Sequence, residues 1–520
     1  MRGLTFFIFV GVASGACTRR APREERLLVG RASDAIGLDP ARISDAESVE
    51  VTEQIFEHLV KSAPDTMTPG PALATSWVFS SDGTEWTFQL RPGVRFHDGT
   101  PLDADAVVFS FERQRDPKHP FHEPDFTYES PFSDMARVEK VGPLAVRFVM
   151  RHPYAPLLAD LSMFPSSIVS PAALAKWGKA FREHPVGTGP FRFVEWKKGE
   201  RVTLAANPDY WDGPPKLSHL AFVSVGDPRQ RLVKLEGGAI DVAENLAPQD
   251  LQFVSLHPQL DTRRASPFNV SYLAMNTMHP PFDDVRVRRA VAQAIDKDAI
   301  VRLVYQGLGE VATGPLPPAI WGHVEATAER PDPERARAVL SHLAGRLPHR
   351  PRLFVSTTPR PYLPAPTRVA RMIAQSLHDA GLDVEIVAND IDAHIAATER
   401  GDHDLCLSGW TADSGDPDNV LYTLFHGDNA HPGTATNLSF FSDPMLDALL
   451  SRAQASPVQS ERINIYATVQ AMVADAVPMV PIANAAQVVA FRTGIVGLKL
   501  PPTGTLYFAG VSVGSRETRR

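Results

Sequence analysis

Cysteine is nearly absent. The 520 residues hold two, Cys17 and Cys406, so no disulfide framework can carry the fold and its core has to come from apolar packing. Long apolar runs are missing beyond the first dozen positions, and no later stretch approaches the roughly 20 residues of a membrane-spanning helix. Excess positive charge is missing too: 52 basic against 60 acidic residues leave a net charge of −8, which argues against a general nucleic-acid binder. Local signatures of catalysis are absent. There is no Gly-x-Ser-x-Gly elbow, no His-Glu-x-x-His helix and no Gly-rich loop ending in Lys-Ser/Thr. A triad drawn from distant segments would leave no such signature, but the 17 His residues are scattered, and His97 sits in the turn-like Phe96-His97-Asp98-Gly99. The expectation is a protein without catalysis, cofactor or metal. No internal repeat or low-complexity tract interrupts the chain.

What is present is ordinary globular material, 43% apolar and 22% charged, with 46 prolines that favour many rigid turns. This length predicts two or three domains. The start reads as a leader over 1–17: Arg2, an apolar Leu4–Val12, then Ala13-Ser14-Gly15-Ala16-Cys17. Small residues before a cysteine predict lipidation of Cys17, with ordinary cleavage after Ala16 as the alternative. A polar linker, 18–26, follows. The expected product is an extracytoplasmic body on a lipid tether.

Strand and helix patterns then alternate. Leu27–Gly30 predicts a first strand. Val51, Ile55 and Leu59 make a helical stripe, and Trp86, Phe88 and Leu90 alternate as a strand that Val94–Phe96 continues after a turn. Val270–Met275 predicts another strand, and Asp284 opens a helix carrying Val287, Val291 and Ile295 toward Gly307. Arg352–Ser356, Val384 with Ile386, and Leu405–Leu407 predict further strands. Met479–Ile482 and Gln487–Phe491 predict strands returning the chain to the first lobe. Cys406 is expected to be a buried small hydrophobe.

Two segments carry chemistry. Arg360 stands in Pro359-Arg360-Pro361-Tyr362. Asp413 lies 53 positions later, in Gly409-Trp410-Thr411-Ala412-Asp413-Ser414-Gly415-Asp416-Pro417-Asp418-Asn419. A guanidinium fork suits a carboxylate and a carboxylate suits an ammonium, so the pair fits a zwitterion such as a short peptide. Each follows a predicted strand, where open α/β sheets bind ligands. A turn role for Asp413, or a calcium loop with Asp416 and Asp418, is the bland alternative. The calcium spacing is wrong, and no Glu closes it. Asp416 and Asp418 are expected to hold the loop and cap the helix that starts near Asn419.

These two runs resemble the peptide-binding branch of the family 5 extracytoplasmic solute-binding proteins that serve ABC importers, nearest its dipeptide-binding members. So do Leu90–Gly99, Gly187-Thr188-Gly189-Pro190-Phe191 and Asn207-Pro208-Asp209-Tyr210-Trp211. The resemblance implies an α/β, two-lobed periplasmic-binding-protein fold, class II and of the large peptide-binding type. Lobe I would comprise 27–50, 185–268 and 484–514 with a subdomain of 51–184, lobe II would span 269–483, and a hinge would join them. It implies that Arg360 grips a ligand carboxylate and Asp413 an amino group. Trp410, Thr411, Ala412 and Tyr362 would be wall and backbone contacts, and Ser33 would answer from lobe I, where Arg31 and Ile36 are expected to shape the pocket. The implied partner is an ABC permease and the implied state a monomer. Longer oligopeptides, nickel chelates, haem or oligosaccharides on the same scaffold stay open, as does an extracytoplasmic peptide hydrolase.

Overall fold

The computed structural model describes residues 25–514, apart from 125, 127–131, 326–330 and 344. The leader 1–17 with Cys17, and residues 18–24 of the linker, lie outside the described residues.

Three sheets organise the chain. The first has seven strands, in the order Leu260–Ala265, Gln487–Arg492, Val242–Ala243, Arg26–Arg31, His219–Ser224, Arg201–Ala206 and Phe191–Lys197. Arg26–Arg31 runs parallel to both its neighbours, and Leu27 and Val29 on it are wholly buried. A separate antiparallel sheet, Ala74–Phe79, Glu85–Leu90, Ala145–Met150 and Met135–Gly142, has its own core around Phe88 and Phe148, whose rings meet edge-on at 5.3 Å.

The remaining large sheet has six strands, in the order Gly309–Val311, Met479–Ala485, Asn269–Met275, Leu405–Thr411, Arg352–Ser356 and Glu385–Asn389. Asn269–Met275 is buried at every position, which is why its sequence shows no polar alternation. Arg352–Ser356 is parallel to both its neighbours. Parallel pairing needs crossovers, and the helices Pro366–Asp379 and Ile391–Glu399 supply them. Val369, Ile373 and Leu377 face the core, and Gly381 at φ +93° lets the chain leave the first of these helices. Each large sheet has its own core, and the result is an α/β fold of two lobes.

The chain passes between the large sheets twice, after Ala265 and at Ala486. Asn269, fully buried, ties the crossings together. Its amide donates to the Ala485 carbonyl and accepts from the Ala485 N–H, both at 2.9 Å, while Asn484 donates to the Asn269 carbonyl at 2.7 Å. Among the described residues no helix is long and apolar enough to cross a membrane.

Four local expectations need correction. Met479–Ile482 does not return to the first lobe; it pairs with Asn269–Met275, and only Gln487–Arg492 rejoins the first sheet. The helical stripe stops at Ile55, and Leu59 packs in the core of the four-stranded sheet instead. Val94–Phe96 is not a strand continuation, because Gly93 and Gly99, both at positive φ, fold it into a loop with one bridge, Arg95 to Pro101. The helix after Asp284 ends at Ala294, since Ile295 turns extended and Asp296 caps a new short helix through Ala299 N–H.

Candidate ligand site

The carboxyl ends of two neighbouring parallel strands build the site. Beyond Ser356 the chain closes a tight turn in which Arg360 and Leu363 exchange backbone hydrogen bonds of 3.1 and 2.9 Å. Pro359 and Pro361 stiffen it, and buried Leu363 anchors it in the core. Arg360 is exposed, and among the described residues its guanidinium has no hydrogen-bond or ion-pair partner. Tyr362 is half-buried, its carbonyl held by Tyr305 Oη at 2.8 Å. Its ring lies against the next strand at Gly409, where a Cβ would sit 2.6 Å from Cε2 and 2.8 Å from Cγ. Glycine is therefore required there by close approach rather than by backbone angle. Burial pushes the Tyr362 phenol up, and the Arg360 charge partly offsets this.

The neighbouring strand is longer than expected and includes Gly409, Trp410 and Thr411. Asn419 organises the loop beyond it by accepting from Trp410 Nε1 at 3.3 Å and from Asp413 N–H at 3.0 Å. Asp413 is half-buried just past the strand. Ala412 is fully buried, and its N–H donates to the Phe268 carbonyl at 2.9 Å. Its side chain belongs to the core, so only its main-chain carbonyl is left for a ligand. Gly415 packs on Met67, which shares a core with Ala412.

Asp416 holds the loop as expected. It accepts from Asp418 N–H at 3.0 Å and pairs with Arg462 through bonds of 2.5 and 2.8 Å, which leaves it unsuited to a calcium loop. Asp418 is not the cap. Pro417 occupies that position, and the Asp418 side chain turns inward to accept from Gln454 at 3.1 Å. Burial, reinforced by Asp416, pushes its carboxyl up to about 7.

A cavity of about 240 Å³ brings Arg360, Tyr362 and Trp410 together with Tyr272, His394 and Glu399. Thr411, Ala412, Asp413 and Ser33 do not line it. Ser33 is exposed on the loop after the first strand and donates to Glu47 at 2.9 Å. Ile36 is 67% exposed. Arg31 is not a pocket residue: it is fully buried, 4.9 Å over the Phe222 ring, and donates to the Glu47 carbonyl. Sequence reasoning missed the helix Ile391–Glu399, one wall of the cavity. Its signal was the spacing of Ile391, His394, Ile395 and Thr398, an i, i+3, i+4, i+7 stripe. His394 is buried with Nε2 3.8 Å from Cys406 Sγ, and burial pushes it down to about 4, so it is neutral at pH 7. Cys406 is fully buried, as expected, and its thiol is pushed up.

An unpaired guanidinium over a cavity rimmed by aromatic rings can take a carboxylate through two parallel N–H bonds. The profile of the bacterial extracellular solute-binding proteins, family 5 (middle region), matches residues 68–432. The chain is 33% identical to di/tripeptide-binding protein 2 of Pseudomonas aeruginosa strain UCBPP-PA14, over 97% of this chain and 98% of that one. It is 32% identical to heme-binding protein A of Haemophilus influenzae, over 96% and 92%. Among solved structures it is similar to a dipeptide-binding protein from Pseudoalteromonas sp. SM9913 in complex with Met-Leu, with a TM-score of 0.84, 26% identity, and coverage of 94% of this chain and 100% of that one.

Proposed function

The chain belongs to the family 5 bacterial extracellular solute-binding proteins, and from that premise we propose that it captures di- and tripeptides between its lobes and delivers them to an ABC permease. Arg360 takes the ligand carboxylate and Asp413 the amino group. Tyr362 and Trp410 form walls, main-chain groups of Thr411 and Ala412 pair with the peptide backbone, and the Ser33 loop closes from lobe I. Backbone pairing tolerates many side chains, while the two end charges set the length: an extended dipeptide spans about 7 Å. Closure bends the chain at the crossings tied by Asn269. The protein acts outside the cytoplasm, held to a membrane by lipid on Cys17, and does no catalysis.

The observation that carries this reading is the guanidinium of Arg360, which lines the cavity and has no partner among the described residues. In a closed cleft a ligand without a carboxylate would leave it buried and unpaired, at a cost of several kcal/mol. Isothermal titration of refolded, ligand-free protein tests it. Free dipeptides are expected to bind, and dipeptides blocked at both ends are not. Arg360→Ala is expected to lose affinity for free peptides while binding their amides about as well as the native protein does. Equal losses for free and amidated peptides would remove the clamp. A Soret band on added haem, without peptide binding, would point to haem instead.

A further inference from the structure

Among the cavity's lining residues, charge resides on Arg360 and Glu399 alone, because His394 is neutral. Glu399 ends the wall helix Ile391–Glu399 and is half-buried. Its main chain is fixed by Gly433 N–H, which donates to its carbonyl at 2.7 Å. The nearest cation in sequence, Arg400, spends its hydrogen bonds on Asp402, at 2.6 and 3.1 Å, and reaches Glu399 through its charge alone. Among the described residues the Glu399 carboxylate has no hydrogen-bond or ion-pair partner. Burial pushes its carboxyl up and the Arg400 charge offsets this only in part, so a cation beside it would relieve the remaining desolvation cost. The lining also includes apolar Ile391, Ile395 and Leu438, and Thr398 and Thr436, whose hydroxyls donate to the backbone carbonyls of His394, Ile395 and Thr423. The volume of about 240 Å³ would hold several water molecules at roughly 30 Å³ each, which is ample for a lysine-sized side chain.

We propose that this cavity receives the side chain of the ligand residue that carries the free carboxylate, and that Glu399 selects a long basic one. The aliphatic stem of lysine or arginine would cover the apolar walls while its charged head meets Glu399. The ligand class is then a short peptide with a basic carboxyl-terminal residue. This rests on the peptide reading and deepens it. A solvated helix-end glutamate would give no such preference.

Titrations of Ala-Lys, Ala-norleucine and Ala-Glu separate the cases, norleucine having nearly the shape of lysine without its charge. Native protein is expected to bind Ala-Lys at least tenfold more tightly than Ala-norleucine, and Ala-Glu weakest. E399Q, its fold checked by melting temperature, is expected to bring Ala-Lys and Ala-norleucine within about twofold of each other. Equal or tighter binding of Ala-norleucine by the native protein would overturn the proposal and leave the peptide reading standing. So would a preference for Ala-Lys that survives in E399Q. If none of the three binds, both readings fall.

Discussion

Replacing Gly409 by alanine tests how the site is held, because the new methyl group would act through a ring rather than by filling the cavity. The added Cβ would lie 2.6 Å from Tyr362 Cε2 and 2.8 Å from Cγ, against 3.5–4.0 Å for a comfortable carbon contact. The ring must retreat by about 1 Å. It has little freedom to do so. Its carbonyl is fixed by Tyr305 at 2.8 Å, and the turn that carries it is closed by the Arg360–Leu363 pair. Overpacking of this kind costs about 1–3 kcal/mol. If the strain moves the turn with the ring, Arg360 moves too, and affinity for free dipeptide falls roughly ten- to a hundredfold, at tenfold per 1.4 kcal/mol. The assays are titration calorimetry for affinity and urea unfolding for stability, with Tyr362→Leu as the partner in a double-mutant cycle. Removing the ring should absorb at least about 1 kcal/mol of the Gly409→Ala cost. Additivity within about 0.5 kcal/mol, or native affinity in Gly409→Ala, would refute the claim that the ring's seat on this strand positions the site.

Three further outcomes follow from groups already described. Asp418 holds a proton in the folded state up to about pH 7 and loses it near pH 4 when unfolded, so its contribution to stability is full at pH 4, falls as pH rises through 7, and is flat above that. Asp418→Asn should therefore leave the melting temperature unchanged at pH 4 and raise it at pH 8, by roughly 1–3 kcal/mol of stability; an equal effect at both pH values would contradict this. Arg462→Met strands the buried Asp416 carboxylate and should cost about 3–5 kcal/mol in urea unfolding. Cys406, buried and with its thiol pushed up, should resist a thiol reagent in the native protein and react fully in guanidinium; fast native labelling would show that this strand opens readily.

The parts of the fold legible in the sequence are those set by local pattern. Leu353–Val355 with the stripe Val369, Ile373 and Leu377 announces a strand–helix unit, and Arg360 stands out because prolines and an aromatic frame it. The continuation of Leu405–Leu407 through Gly409 to Thr411 is not legible, because a glycine is a poor strand former. It holds by pairing with Asn269–Met275, more than a hundred residues away in sequence. Arg31 reads in the sequence as a residue that shapes the pocket, and only the fold reveals Phe222 and the Glu47 carbonyl waiting for it. Asp418 looks like a helix cap, and only the position of Gln454 turns it inward. Glu399 gives no signal at all, since its interest comes from having no hydrogen-bond or ion-pair partner among the described residues.

The order of strands in the first sheet also dictates when it can be finished. The six-stranded sheet is made from one continuous stretch, 269–485, whereas the central strand of the seven-stranded sheet is among the first residues described and Gln487–Arg492 among the last. Gln54 donates to the Leu506 carbonyl at 2.9 Å across 452 positions. Contacts so distant along the chain form slowly, because the loop must close before it is rewarded. A growing chain can therefore assemble its second lobe while Val242–Ala243 still lacks the strand that covers it, and the first lobe sets only after the final residues have emerged. Until then the first sheet stays incomplete, and loss of the chain from Gln487 onward would leave it with an unpaired edge in its middle.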